Sequence, residues 1–206
     1  MSSAIAITER DFAYLITATA VSDRNMAMRD VALLYVLFLT GLMPSEIGNL
    51  KISDYRDASS ISLVQSNVRA EIAFNGKERP LFWLNQKMIN ALDAYLATRS
   101  DIKSNDPLFL TAKGKEFSYR TTARNGTFFF SCASLTNLYN KLFNELGLQG
   151  VSTETARRTL ATWLYQRGAK LNQIGDLLGL QNINTVKNLI KDARPPSFDV
   201  LLKNIV

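Results

Sequence analysis

Apolar positions recur along this chain with a helical period almost throughout, broken once by a strand-like stretch near the middle. Thr8, followed by Glu9, Arg10 and Asp11, reads as a helix start, with Thr8 as the cap and acids beside the positive helix end. Phe12, Leu15, Ile16 and Thr19 continue at helical spacing. A second helix is predicted over about residues 25–39, apolar on nearly every side after Asp30, which is the pattern of a buried central helix. Gly41 ends it, and Pro44-Ser45-Glu46 opens a short helix to about Leu50, since proline is tolerated in a first turn. Residues 61–64 and 68–74 are β-branched or apolar runs. Asn75-Gly76 reads as a two-residue hairpin turn, with 77–84 as the returning strand.

Beyond the hairpin, 85–98 is amphipathic, with Met88, Leu92, Tyr95 and Leu96 on one face. A short extended piece follows at 107–110, then a polar, basic loop or hairpin at 111–130. Residues 134–146, 155–166 and 171–178 read as three helices stopped by Gly147, Gly168 and Gly179. After Pro195-Pro196, Ser197 can cap a last helix whose Phe198, Leu201, Leu202 and Ile205 form one apolar stripe. The expected fold is mainly α with a small antiparallel β-sheet (α+β). It is read as a single domain over 1–206, with a core of about 8–194 and a tail helix at 197–206.

Composition narrows the chemistry. Hydrophobic residues make up 47% and charged residues 20%, enough to bury a sizeable core. The longest unbroken apolar run, 31–39, falls short of the ~20 residues a membrane span needs. The N-terminus lacks the basic-then-apolar order of a signal peptide. No membrane partner is expected. Cys132 is the one cysteine, which rules out an internal disulfide and fits a reducing cytosol. The chain has no histidine, which removes imidazole acid–base catalysis, the Ser-His triad and most zinc sites. No metal or cofactor is expected. The formal net charge is +6, unevenly spread: residues 1–60 carry −2, and residues 61–149 and 150–206 carry +4 each. A basic surface confined to part of a domain suits a polyanion, and double-stranded DNA is the expected partner.

Two long segments carry a resemblance. Residues 29–55, RDVALLYVLFLTGLMPSEIGNLKISDY, resemble the buried helix and T-G-L-R-x-S-E-L of the tyrosine recombinase (phage integrase) catalytic domain. Residues 151–180, VSTETARRTLATWLYQRGAKLNQIGDLLGL, resemble that family's S-x-H-x-L-R-H-T-F-A-T-x-L-x-x-x-G and L-L-G-H. Between them, Asn75-Gly76-Lys77-Glu78-Arg79 stands where the family has its basic β-hairpin. The resemblance runs from about Thr8 onward and covers the catalytic domain without the N-terminal core-binding domain. In that respect the chain is similar to the short recombinases that invert fimbrial promoters.

The resemblance implies metal-free DNA cleavage in the family, by a tyrosine that attacks a phosphodiester held in a cradle of Arg, Lys and His. Carried over position by position, the first cradle arginine falls at Met43, and the hairpin lysine is kept as Lys77. The first histidine falls at Glu154, and the second arginine is kept as Arg157. The second histidine is Leu180, and the nucleophile falls at Leu189. No tyrosine lies beyond Tyr165. The expectation is therefore a pseudoenzyme with no catalytic residues that still binds DNA as a regulatory or architectural factor, cytoplasmic and nucleoid-associated. The expected phosphate contacts are Arg157, Arg158, Lys77, Arg79, Lys113, Lys115, Arg120, Arg124 and Lys187. Glu154, three residues before Arg157, is an alternative partner for that arginine.

Three other readings stay open. One is an active recombinase with a displaced tyrosine, Tyr165. A second is a helix-turn-helix regulator over 173–189, with Asn184, Thr185, Lys187 and Asn188 opening a recognition helix. The third is a protein-interaction module. Phe198, Leu201, Leu202 and Ile205 are the expected oligomerisation stripe, whether between copies of the chain or onto an active recombinase.

Overall fold

The apolar stretch after Asp30 folds as the central helix of the domain. In the computed structural model, which describes residues 6–22, 26–124 and 127–194, this is α2 (Ala27–Thr40), with Leu33, Leu34, Val36, Leu37 and Phe38 fully buried. It touches α1 (Glu9–Ala20), α3 (Pro44–Ile47), α4 (Gln86–Leu96) and α6 (Thr153–Gln166), so apolar residues on every side find a neighbour. Thr8 caps α1 as its sequence predicts: its hydroxyl accepts from the Asp11 amide at 3.1 Å, and the Asp11 carboxylate accepts from the Thr8 amide at 3.1 Å. The Thr8 hydroxyl, which also donates to the Asp11 carboxylate at 2.7 Å, and the Thr8 amide together hold the Asp11 carboxyl below its usual range.

The small sheet departs from the expectation. Strands β1 (Gln65–Val68) and β2 (Arg79–Phe82) pair antiparallel, with Val68 opposite Arg79. Residues 69–78 therefore form a connecting loop, and Asn75-Gly76 is a turn within that loop, not the tip of a two-residue hairpin. Burial explains the shift. Ile72 and Ala73 turn into the core, and Trp83 anchors the sheet by donating to the Asp54 carbonyl at 2.8 Å. A second antiparallel pair, β3 (Arg120–Arg124) and β4 (Thr127–Ser131), settles the basic stretch as a hairpin, with Arg120 opposite Ser131.

The C-terminal half is helical: α5 (Ala133–Glu145), α6, α7 (Leu171–Leu178) and α8 (Ile183–Leu189). The described residues form two apolar clusters. The larger surrounds α2, and the smaller joins Leu160 and Ala161 of α6 to Ile174, Leu178, Val186, Leu189 and Ile190. The beginning of the described chain is tied to α6, since the Ile7 amide donates to Thr159 Oγ1 at 3.0 Å. Residues 6–9 line one cleft with Arg158, Thr162, Asp192 and Arg194. Phe198, Leu201, Leu202 and Ile205 lie outside the described residues. Among those described, no helix is long and apolar enough to cross a membrane.

Candidate functional site

The positions that the resemblance singles out converge where α2, α3, α6 and α7 meet the 69–78 loop. Gly41 closes α2 in the left-handed region, at φ 66°. A Cβ there would lie 2.3 Å from Leu178 Cδ2, so only glycine lets the end of α7 approach this closely. Met43 follows, half-buried, as the N-cap of α3, and Pro44 takes the first helical position.

Glu46 on α3 is fully buried and has every partner it needs. Its Oε2 accepts from the Met43 amide at 2.8 Å, and its Oε1 accepts from the Phe74 amide at 3.0 Å. Arg79 donates to both oxygens, at 2.8 and 2.7 Å, and is itself 6% exposed. The remaining Arg79 Nε donates to the Leu177 carbonyl at 3.2 Å. This two-pronged pair is the geometry that favours arginine over lysine. Arg79, expected on the sequence to track DNA, is thus a structural cation inside the domain.

Arg157 is also withdrawn, at 4% exposure. One guanidinium nitrogen donates to the Gly41 carbonyl at 2.5 Å and the other to the Leu178 carbonyl at 3.0 Å. These carbonyls close α2 and α7, and a cation beside a helix C-terminus gains up to ~2 kcal/mol in a partly buried setting. Burial pushes the Arg157 guanidinium below its ordinary range, while the Glu46 and Glu154 carboxylates pull it back up. Glu154 itself is exposed in the first turn of α6, where an acid suits the helix N-terminus, and Arg157 makes its bonds to carbonyls instead.

Phe74 went unnoticed in the sequence. Its ring centroid lies 5.3 Å from the Arg157 guanidinium carbon and 5.6 Å from that of Arg79, contacts worth ~0.5–2 kcal/mol each as cation–π pairs. Lys77, the lysine retained from the family's hairpin on the sequence reading, is exposed three residues further along the loop. A phenylalanine beside an Asn-Gly turn carries no local signal for this role, because Arg157 comes from a helix far along the chain and Arg79 is turned toward the ring by its pairing with Glu46.

The other expected contacts divide in two. Arg158 donates to the Asn188 and Leu189 carbonyls at 2.7 and 2.8 Å and so caps α8. Leu189 is 6% exposed within the smaller apolar cluster, and Leu180 is half-buried beside it. By contrast Lys77, Lys113, Lys115, Arg120 and Lys187 are exposed, and Arg124 closes β3. The stretch 117–144, which contains the β3–β4 hairpin, has no acidic residue. Helices α7 and α8 form a helix–turn–helix pair over 171–189, with Asn184, Thr185, Lys187 and Asn188 exposed and Val186 buried against α7. No group of His, Cys, Asp and Glu among the described residues could hold a metal ion.

The fold, with its central α2 and the side chains gathered where α2 and α7 end, is that of a recombinase-type catalytic domain. The model of the phage integrase family matches residues 6–193, and the chain belongs to that family. It is 28% identical over 178 residues to the tyrosine recombinase XerC of Pelobacter propionicus, covering 86% of this chain and 52% of that protein. It is likewise 28% identical over 160 residues to XerA of Pyrococcus horikoshii, covering 78% and 49%. The chain spans about half the length of the curated relatives it matches. Among solved structures, XerA recombinase superposes with a TM-score of 0.69 at 24% identity, over 99% of this chain and 63% of that one. XerH bound to its palindromic difH substrate in a post-cleavage complex superposes at 0.68 and 18% identity, over 93% and 50%.

Proposed function

We propose that this chain is a catalytically silent member of the family that binds double-stranded DNA and acts as a regulatory or architectural factor in recombination or transcription. The observation that carries the reading is the pair of substitutions at the two ends of the chemistry. The position of the nucleophile is Leu189, packed among Leu178, Val186 and Ile190. The first cradle arginine is Met43, an uncharged thioether. Losing one preorganised donor costs ~10²–10³ in rate, and losing the nucleophile removes the covalent route. DNA binding rests on the exposed cations Lys77, Lys113, Lys115, Arg120 and Lys187, on Arg124 at the end of β3, and on relatives whose solved complexes contain DNA. The exposed Asn184, Thr185 and Asn188 favour a groove contact by α8 as part of the same surface. The working location is the cytoplasm, on the nucleoid. The tail stripe Phe198, Leu201, Leu202 and Ile205 is the candidate contact to a second copy or to an active recombinase.

Incubation with a nicked suicide duplex separates the readings. The expected result is a salt-sensitive mobility shift with no covalent protein–DNA adduct. An adduct that disappears in Tyr165→Phe overturns the silent reading in favour of a displaced nucleophile. Absence of any shift at low salt overturns DNA binding and leaves a protein-interaction module.

A further inference from the structure

Arg157 is buried, yet its guanidinium donates its hydrogen bonds to two neutral carbonyls. Arg79 and Glu46 pair with one another nearby and Glu154 acts on Arg157 only through space, so the Arg157 charge sits in an enclosed site with its hydrogen bonds directed to carbonyls and not to a carboxylate. The group laid against both guanidinium ions is the Phe74 ring, whose π face offers partial negative charge where an anion would otherwise sit. We infer that Phe74 is a displaceable plug over a latent oxyanion site built from Arg157 and Arg79.

Three features make the ring a plug and not simply core. Phe74 is only half-buried, so the space it fills borders solvent. Its neighbour across the site is Gly179, where a Cβ would lie 3.1 Å from Phe74 Cε1, so no side chain would fill the gap once the ring leaves. The loop is also lightly fastened beyond Ala73: the Phe74 amide donates to Glu46, and Asn75 Nδ2 donates to the Gly179 carbonyl at 2.8 Å. Gly76, at φ 68°, supplies the turn on which the segment can pivot. The inference deepens the DNA-binding reading and depends on it only for the natural anion, a phosphodiester. In the plugged state Arg157 is withheld from DNA, and the exposed cations make the first contacts.

The test uses inorganic sulfate against chloride at constant ionic strength, read by thermal unfolding and by the Nε–Hε resonances of Arg157 and Arg79. In Phe74→Ala, sulfate should bind about tenfold more tightly than in the unmodified chain, raising the melting temperature and moving both resonances. Phe74→Leu keeps an apolar anchor without the ring face and serves if the alanine variant does not fold. It should show the same dependence in smaller degree. Equal sulfate dependence with and without Phe74, or none in either variant, overturns the inference. A chain that shifts no DNA while Phe74→Ala gains the sulfate site leaves the plug standing and retires the DNA-binding reading instead.

Discussion

Among the described residues, the cations expected on the sequence to meet DNA divide into two groups. Arg79, Arg157 and Arg158 turn inward and direct their hydrogen bonds to Glu46 and to the carbonyls that close α2, α7 and α8. Lys77, Lys113, Lys115, Arg120 and Lys187 stay in water. The first group holds helices together, and the second is placed to meet a polyanion. The contrast follows residue type only in part, because Arg120 is exposed. What decides it is where the chain places each side chain relative to helix ends. A helix C-terminus inside the domain leaves carbonyls that need donors, and a guanidinium can serve two at once.

Substitutions can break this division, and the largest effect belongs to the inward group. Glu46→Gln removes the countercharge of a buried arginine and should cost about 3–5 kcal/mol of stability, measured by urea unfolding. Arg157→Ala strips donors from Gly41 and Leu178, at about 1.5–3 kcal/mol for a hydrogen bond to a charged group. The sequence reading expected this arginine as a phosphate contact, and its burial against two carbonyls is what gives its loss a cost in stability. The outward group should behave in the opposite way. Replacing Lys113, Lys115 and Arg120 together by alanine should move stability by less than ~0.5 kcal/mol per site. It should also make the log–log salt dependence of DNA binding shallower, by about 0.9 for each phosphate that the variant no longer neutralises. Equal destabilisation by the two sets would erase the distinction.

Much of the architecture was legible because it is written in local pattern. The Thr8 cap, the all-round apolar α2, the Gly41 and Gly179 stops and the faces of α4 and α6 all depend on residues within a turn or two of one another. The hairpin was misplaced because Asn75-Gly76 is a strong turn signal in isolation, while Ile72 and Ala73 are drawn into the core by residues far away in sequence. The site was the least legible part. Its central contacts span large separations, Arg157 to Gly41 and Arg79 to Glu46 among them, and the ring of Phe74 gains its meaning from both arginines. Residue identity named Arg157 and Arg79 as charged, and only tertiary placement shows that they face inward.

The bond from Ile7 to Thr159, and the cleft that residues 6–9 share with Asp192 and Arg194, place the two described ends of the chain side by side on α6. Anything joined ahead of residue 6 and anything following residue 194 departs from one spot on the domain. Both described ends therefore border the helix that carries Arg157 and Arg158.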